Sequence, residues 1–452
     1  MRAQSRPSVR RRGSVARLAG ATYVGTLLGL VTGPITARAL GATGRGELAA
    51  VATYAGLAAV VLGLGVPNAV GYRVANTLDD AGALLGTVMR YAAILVVPSV
   101  ALAVLVAYGP LAHLSSAGRM GTLVLVSLAP LAVVGGALEA TVRARGELGT
   151  LTWLRLLPLG FAAAVTTALW ATNKLTVGSA VAITMGASLL SLAATAIAVG
   201  RRPRRGAALG PLVGFGARSL LGGLALAASD RLDQALIAPM LGPRDLGVYA
   251  VAASVSLLPL GATAAIAARA FGTIAEAPED DRPRLAATYV RRAVVVAVAL
   301  CLGLAVVIPV MLPLLFGHEF RGAILPTLLL LPATIARSGV GSAEASLHVL
   351  GRPGAASLAQ ACGTVVTVVG LLVALPRFGI TGAAVVTSVD FIVTMGIQIV
   401  FLRRLGAHGF APCVDDWHLL VTRLRSVWQR ERSSVCSSTE ATEASKHLEA
   451  QK

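Results

Sequence analysis

Charge is what this sequence has least of: 13% of its residues are Asp, Glu, Lys or Arg, about half the share of a soluble domain. With 56% hydrophobic residues and a mean hydropathy of +0.76, its apolar surface is too large to hide from water by folding alone. The chain reads as a polytopic membrane protein. Acidic residues are the scarcer sign, 21 against 39 basic, and lysine is nearly missing. The net charge of +18 does not imply a nucleic-acid partner. The basic residues fall in alternate short loops and the two tails, where they set topology and touch anionic lipid. The four cysteines (Cys301, Cys362, Cys413, Cys436) have neither metal-site nor disulfide-framework spacing. There is no Gly-Lys-Ser/Thr phosphate loop, which excludes nucleotide hydrolysis by that route. The longest interhelical loop expected, residues 269–288, leaves no room for a soluble catalytic domain. The six histidines are dispersed, and no Ser/His/Asp or metal-ligand cluster appears. The expectation is a protein that is not an enzyme and carries no cofactor or metal.

What is present is apolar sequence in helix-length runs. A hydrocarbon core of ~30 Å needs roughly 20 residues of helix. Apolar runs between turn and charge signals place twelve spans between about Ala16 and Leu402. Six lie in an N-terminal lobe, residues 16–200, and six in a C-terminal lobe, 213–402. A basic arm (1–15) precedes them, a basic linker (201–212) joins them, and a tail (403–452) follows. Met1 to Arg17 is not a cleaved signal peptide, because a full-length span follows it without a small-residue cleavage site. In the tail, residues 415–432 put Trp417, Leu420, Leu424 and Trp428 at helical spacing opposite arginines, the pattern of a helix on a membrane surface. Residues 433–452 are polar and serine-rich, the composition of disorder. With both termini inside, the inner segments before the tail hold twenty-two basic residues and the outer ones seven. Those seven are Arg38, Arg45, Arg119, Lys174, Arg244, Arg321 and Arg377. The positive-inside rule therefore orients the chain with both termini cytoplasmic.

The chain is duplicated. LGATGRGELAAVAT, from Leu40, matches LGPRDLGVYAVAAS, from Leu241, at an offset of 201 residues. EATVRARGELG, from Glu139, recurs as EASLHVLGRPG, from Glu344, at 205. Six spans per copy is an even number, so both copies enter the membrane the same way. They should be related by a pseudo-two-fold axis along the membrane normal, with a cavity at their interface.

Ionisable groups inside spans are costly, and they face a cavity or a partner. Asp230, Asp233 and Gln234 share one face of the seventh helix, with Arg231 about 100° around it. They form either an ion-pair network that locks helices or a cavity site for an ion or an anionic substrate. On the tenth helix Thr334, Arg337, Gly341, Glu344 and His348 make a second stripe, with Pro326 and Pro332 as kink sites. Asp390 stands alone in the twelfth helix and reads equally as ion site or satisfied core acid. Arg38, Arg73, Glu139 and His348 are secondary or gate candidates near span ends. The first helix instead carries a GxxxGxxxG face, Gly25, Gly29 and Gly33, which favours close backbone packing. At the aligned positions Gly29 faces Asp230 and Thr32 faces Asp233, so the lobes are chemically unequal.

The segments from Ala39 (ALGATGRGELA), Asp230 (DRLDQALIAPMLGPRDLGVYA) and Arg377 (RFGITGAA) resemble the oligosaccharide flippases of bacterial polysaccharide synthesis. Those belong to the superfamily of multidrug extruders and lipid II flippases. The resemblance covers about Ala16 to Leu402. It implies a two-lobed, alternating-access flippase in the bacterial plasma membrane. Its implied substrate is an isoprenoid-diphosphate-linked oligosaccharide carried from the inner to the outer leaflet. Protons, sodium or membrane potential are the implied coupling, and a polysaccharide polymerase and glycosyltransferases the implied partners. Arg337 and Arg231 suit a diphosphate, because arginine binds phosphate oxygens in bidentate fashion. The alternatives are a proton- or sodium-coupled multidrug extruder, in which the acids should dominate, and a non-transporting scaffold of a polysaccharide synthase complex.

Overall fold

The computed structural model describes residues 8–76, 81–200, 204, 210, 212–214 and 231–411, excepting the side chains of 8–23, 26, 27, 76, 81 and 148. Asp230, most of the linker and the tail helix expected at 415–432 lie outside the described residues. Inside them the chain is helical, and no strand occurs. The first half comprises α1 (Ser8–Gly63), α2 (Val66–Asn76), α3 (Ala81–Tyr108), α4 (Ser116–Ser127), α5 (Ala129–Ala144), α6 (Leu148–Ala171) and α7 (Val177–Val199). The second half comprises α8 (231–241), α9 (Pro243–Ser256), α10 (Leu260–Glu276), α11 (Arg282–Phe316), α12 (Ile324–Val349) and α13 (Pro353–Arg404).

Seven of the helices are long and apolar enough to cross a membrane, and the bent pairs α4–α5 (48°) and α9–α10 (50°) each pass together. Two of the seven, α1 and α13, are each a pair of helices joined at a glycine, Gly41 (φ 66°) and Gly379 (φ 56°). By length and composition that makes up to nine spans among the described residues, with a glycine break inside two of them. This is the all-helical, two-lobed architecture expected from the sequence.

The duplicated segments are duplicated in backbone conformation. Gly41 and Gly242 (φ 92°) occupy matched positions, and each interrupts a helix where only glycine takes a positive φ at little cost. Pro243 then opens α9 at its first turn, where its missing N–H costs no hydrogen bond. Gly146 (φ 74°) and Gly351 (φ 72°) close α5 and α12 in the same left-handed form, at the offset of the second repeat.

The largest core joins the halves. Ala42, Ala50 and Val51 of the first pack with Leu246, Tyr249, Val251, Leu312 and Phe320 of the second. All lie toward the Gly41–Gly242 end of the bundle. At the opposite end the halves keep separate cores, one around Val70, Leu84, Val88 and Ala137, the other around Ile274, Ala286, Leu347 and Leu402. Among the described residues the shared core thus seals the lobes together at the Gly41–Gly242 end, and the cores at the other end are separate.

One buried acid has a plainly structural task. Glu47, 5% exposed, accepts the Ser115 backbone N–H at 3.1 Å and the Ser115 hydroxyl, and that hydroxyl also caps α4 by accepting the Gly118 N–H. Glu47→Ala should therefore loosen the start of α4 and destabilise the protein by about 1–3 kcal/mol, read as a lower Tm in detergent. Glu47→Gln keeps an acceptor and should lose less.

Candidate functional site

At the sealed end, repeat-equivalent glycines meet. A Cβ on Gly46 would lie 1.6 Å from the Pro243 carbonyl oxygen, and one on Gly247 would lie 1.9 Å from that of Ala42. The two backbones cross where no side chain fits. Around this crossing the lobes exchange polar contacts. The Ala42 N–H donates to Glu319 Oε2 at 3.1 Å, Arg38 donates to the Leu314 carbonyl, and the Tyr54 hydroxyl donates to the Ala235 carbonyl at 2.9 Å.

The polar face of α8 is divided between the lobes. Gln234 accepts the Thr53 hydroxyl at 3.1 Å, and Arg231 Nη1 reaches the Ala52 carbonyl at 3.4 Å beside Gly56. Asp233 turns into its own lobe. It is 7% exposed and accepts the Tyr249 hydroxyl at 2.6 Å, and that hydroxyl lies 3.4 Å from Thr387 Oγ1.

Several further polar groups of the second lobe are hydrogen-bonded inside it, while Ser342 Oγ and Gln398 Oε1 are buried without a partner among the described residues. Asp390, fully buried, accepts Thr367 at 2.8 Å and Thr394 at 3.3 Å, and Gly363 leaves the space its carboxylate needs. Thr334 donates to the Ser256 carbonyl at 2.8 Å, and Thr263 and Ser338 share a hydrogen bond at 3.0 Å. Arg337 is half-buried with its guanidinium 5.1 Å above the Phe391 ring, a cation–π geometry. Glu344 and the exposed His348 lie further along α12, toward the unsealed end.

In the first lobe Glu139 is paired with Arg143 and with Arg155, both at 3.0 Å, and Arg73 sits in the last turn of α2. Of the predicted candidates, the structure thus brings Arg38, Arg231 and Gln234 to contacts between the lobes. Asp233, Asp390 and Arg337 belong to the interior of the second lobe, and Glu139 to its own lobe's ion pairs.

A cavity of about 390 Å³ lies in the first lobe against α9 and Phe316 of the second, and none of the predicted candidates among the described residues lines it. It lies between both parts of α1, α6 and α7, and is closed off by α9 and Phe316. Its polar lining is Arg45 with the hydroxyls of Thr32, Thr36, Thr166, Thr184 and Ser254. The glycine face of the first helix explains the space. Gly25 packs under Leu159 and Gly33 under Phe316, but Gly29 between them has nothing within 4 Å.

Sequence reasoning missed Arg45, counting it among loop residues, and missed Glu47, Tyr249 and Glu319. A signal for Arg45 was available: it lies inside the repeated signature, where the second copy has Leu246. Tyr249 likewise stands at the position of Leu48, which lines the cavity, and its hydroxyl is hydrogen-bonded to Asp233 instead.

Solved structures of the same architecture come from one superfamily. The lipid II flippase MurJ in an inward closed conformation matches at a TM-score of 0.71 and 12% identity, over 88% of this chain and 88% of that one. An inward-facing multidrug resistance MATE family transporter of the MOP superfamily matches at 0.68 and 16%, over 85% and 95%. A MOP superfamily transporter from Pyrococcus furiosus, described by the reverse polarity of its binding pocket, matches at 0.59 and 15%, over 87% and 96%. These likenesses establish the fold. No curated protein matches the sequence significantly. Residues 35–325, well over half of the chain, match the model of the polysaccharide biosynthesis protein family, and the chain belongs to that family.

Proposed function

We propose that this protein is an alternating-access flippase moving an isoprenoid-diphosphate-linked oligosaccharide across the bacterial plasma membrane for surface polysaccharide synthesis. The observation that carries this reading is a polysaccharide-biosynthesis chain whose apolar bundle places arginines at a cavity and within the second lobe, Arg45 and Arg337, with the exposed Arg231 at the seam. A diphosphate drawn into an apolar bundle needs such charge-assisted donors. With both termini in the cytoplasm, the sealed Gly41–Gly242 end is the outer one, and the described state is inward-facing. Coupling falls to protons, sodium or membrane potential without a cofactor. A polymerase and glycosyltransferases are the partners that would consume and supply the substrate, and anionic lipids the surroundings of the basic segments.

The test is reconstitution. Proteoliposomes loaded with a fluorescent isoprenyl-diphosphate oligosaccharide should expose it at the far leaflet, and Arg337→Ala should slow this by roughly tenfold. Transport of cationic dyes but not of the saccharide would instead identify an extruder. Inert proteoliposomes, with surface polysaccharide intact in cells carrying Arg337→Ala, would support a scaffold.

A further inference from the structure

We infer that the cavity of the first lobe is an oxyanion site in which Arg45 binds a phosphoryl group. The Nε of Arg45 is shielded from solvent and has no hydrogen-bond partner. A buried guanidinium N–H without a partner is costly unless something else completes it. Glu47, two residues along the helix, does not neutralise Arg45, because its carboxylate is held by Ser115 on the other side. Among the described residues no carboxylate lines the cavity, and the charge they bring to it is positive. That lining repels a metal or organic cation and selects an anion.

The hydroxyls supply the remaining coordination. Thr32, Thr184 and Ser254 donate to carbonyls of their own helices at 2.9, 3.0 and 2.7 Å. Each is a rotor whose hydrogen can turn to a ligand, since a hydroxyl bond back to its own helix is a weak local one. A volume of about 390 Å³ is at the small end for a ligand pocket. It holds a diphosphate with an adjoining sugar and excludes a whole oligosaccharide. At the repeat-equivalent position the second lobe carries Leu246 in place of the arginine. The lipid-borne form of this ligand rests on the flippase reading; the anion site itself does not.

Two probes separate the sources of the phosphoryl group: inorganic pyrophosphate and farnesyl diphosphate, each titrated against the full-length protein in detergent. Arg45→Met keeps the length of the side chain without its charge, and Arg45→Lys keeps the charge without the fork. Arg45→Met should weaken binding by about tenfold or more, with Arg45→Lys in between. Binding of both probes identifies a free oxyanion as sufficient, and binding of farnesyl diphosphate alone identifies a lipid-borne one; either supports the site. Wild-type affinity in an Arg45→Met protein that elutes as a folded monodisperse species overturns it, as does failure of the wild type to bind either probe. Loss of binding in Arg45→Met beside a wild type that moves no saccharide would leave the site standing and remove the flippase reading. Unchanged binding beside active transport would do the reverse.

Discussion

Gly46→Ala is expected to hold the lobes apart at their sealed end and to abolish transport. The added methyl would sit 1.6 Å from the Pro243 carbonyl oxygen, a backbone atom that cannot swing away as a side chain does. Relief requires the two helices to separate, and crowding of this kind costs about 1–3 kcal/mol or more. That is enough to shift a two-state equilibrium by roughly tenfold or more. Thr53, 1% exposed and bonded across the seam to Gln234, is the reporter. In a background without the native cysteines, Thr53→Cys should be protected from a membrane-impermeant maleimide, and adding Gly46→Ala should expose it. Gly247→Ala should act the same way, since its methyl would meet the Ala42 carbonyl oxygen at 1.9 Å. Equal labelling with and without the alanine would show that the glycine crossing is not the gate.

Asp390→Ala should lower stability by about 1–3 kcal/mol, seen as a fall in Tm. Its carboxylate is fully buried and takes hydrogen bonds from Thr367 on the first part of α13 and Thr394 on the second, so removing it unties two crossings at once. Asp390→Asn retains an acceptor in the same space and should keep transport near wild type. A stable Asp390→Asn protein that has lost transport would make Asp390 the ion site that the sequence left open.

Particular residues show where the sequence was legible. Gly41 and Gly242 are readable because a helix break needs a residue that tolerates positive φ, and both stand inside a repeated motif. The acids were harder to read. Asp233 and Asp390 look alike as isolated charges in apolar runs. Only the fold shows that Tyr249, 16 residues away, and Thr367, 23 away, complete them. Among the described residues Asp233 and Asp390 are hydrogen-bonded inside the second lobe, as Glu47 is in the first. A glycine face is ambiguous in one dimension, since Gly25 and Gly33 pack against neighbours while Gly29 faces a void.

The sequence by itself determined that this is a multi-pass, all-helical, duplicated membrane protein, and the chain belongs to the polysaccharide biosynthesis protein family. Hydrophobic run length, glycine breaks and internal repetition are local or periodic properties, and a linear reading captures them. Only the tertiary structure decided which end is sealed, which of the described acids have partners, and that Arg45 lines a cavity. Those depend on which side chains from distant helices arrive at one point. In a bundle this apolar, one residue of helix rotation moves a side chain by about 100°, from a cavity into a packed interface.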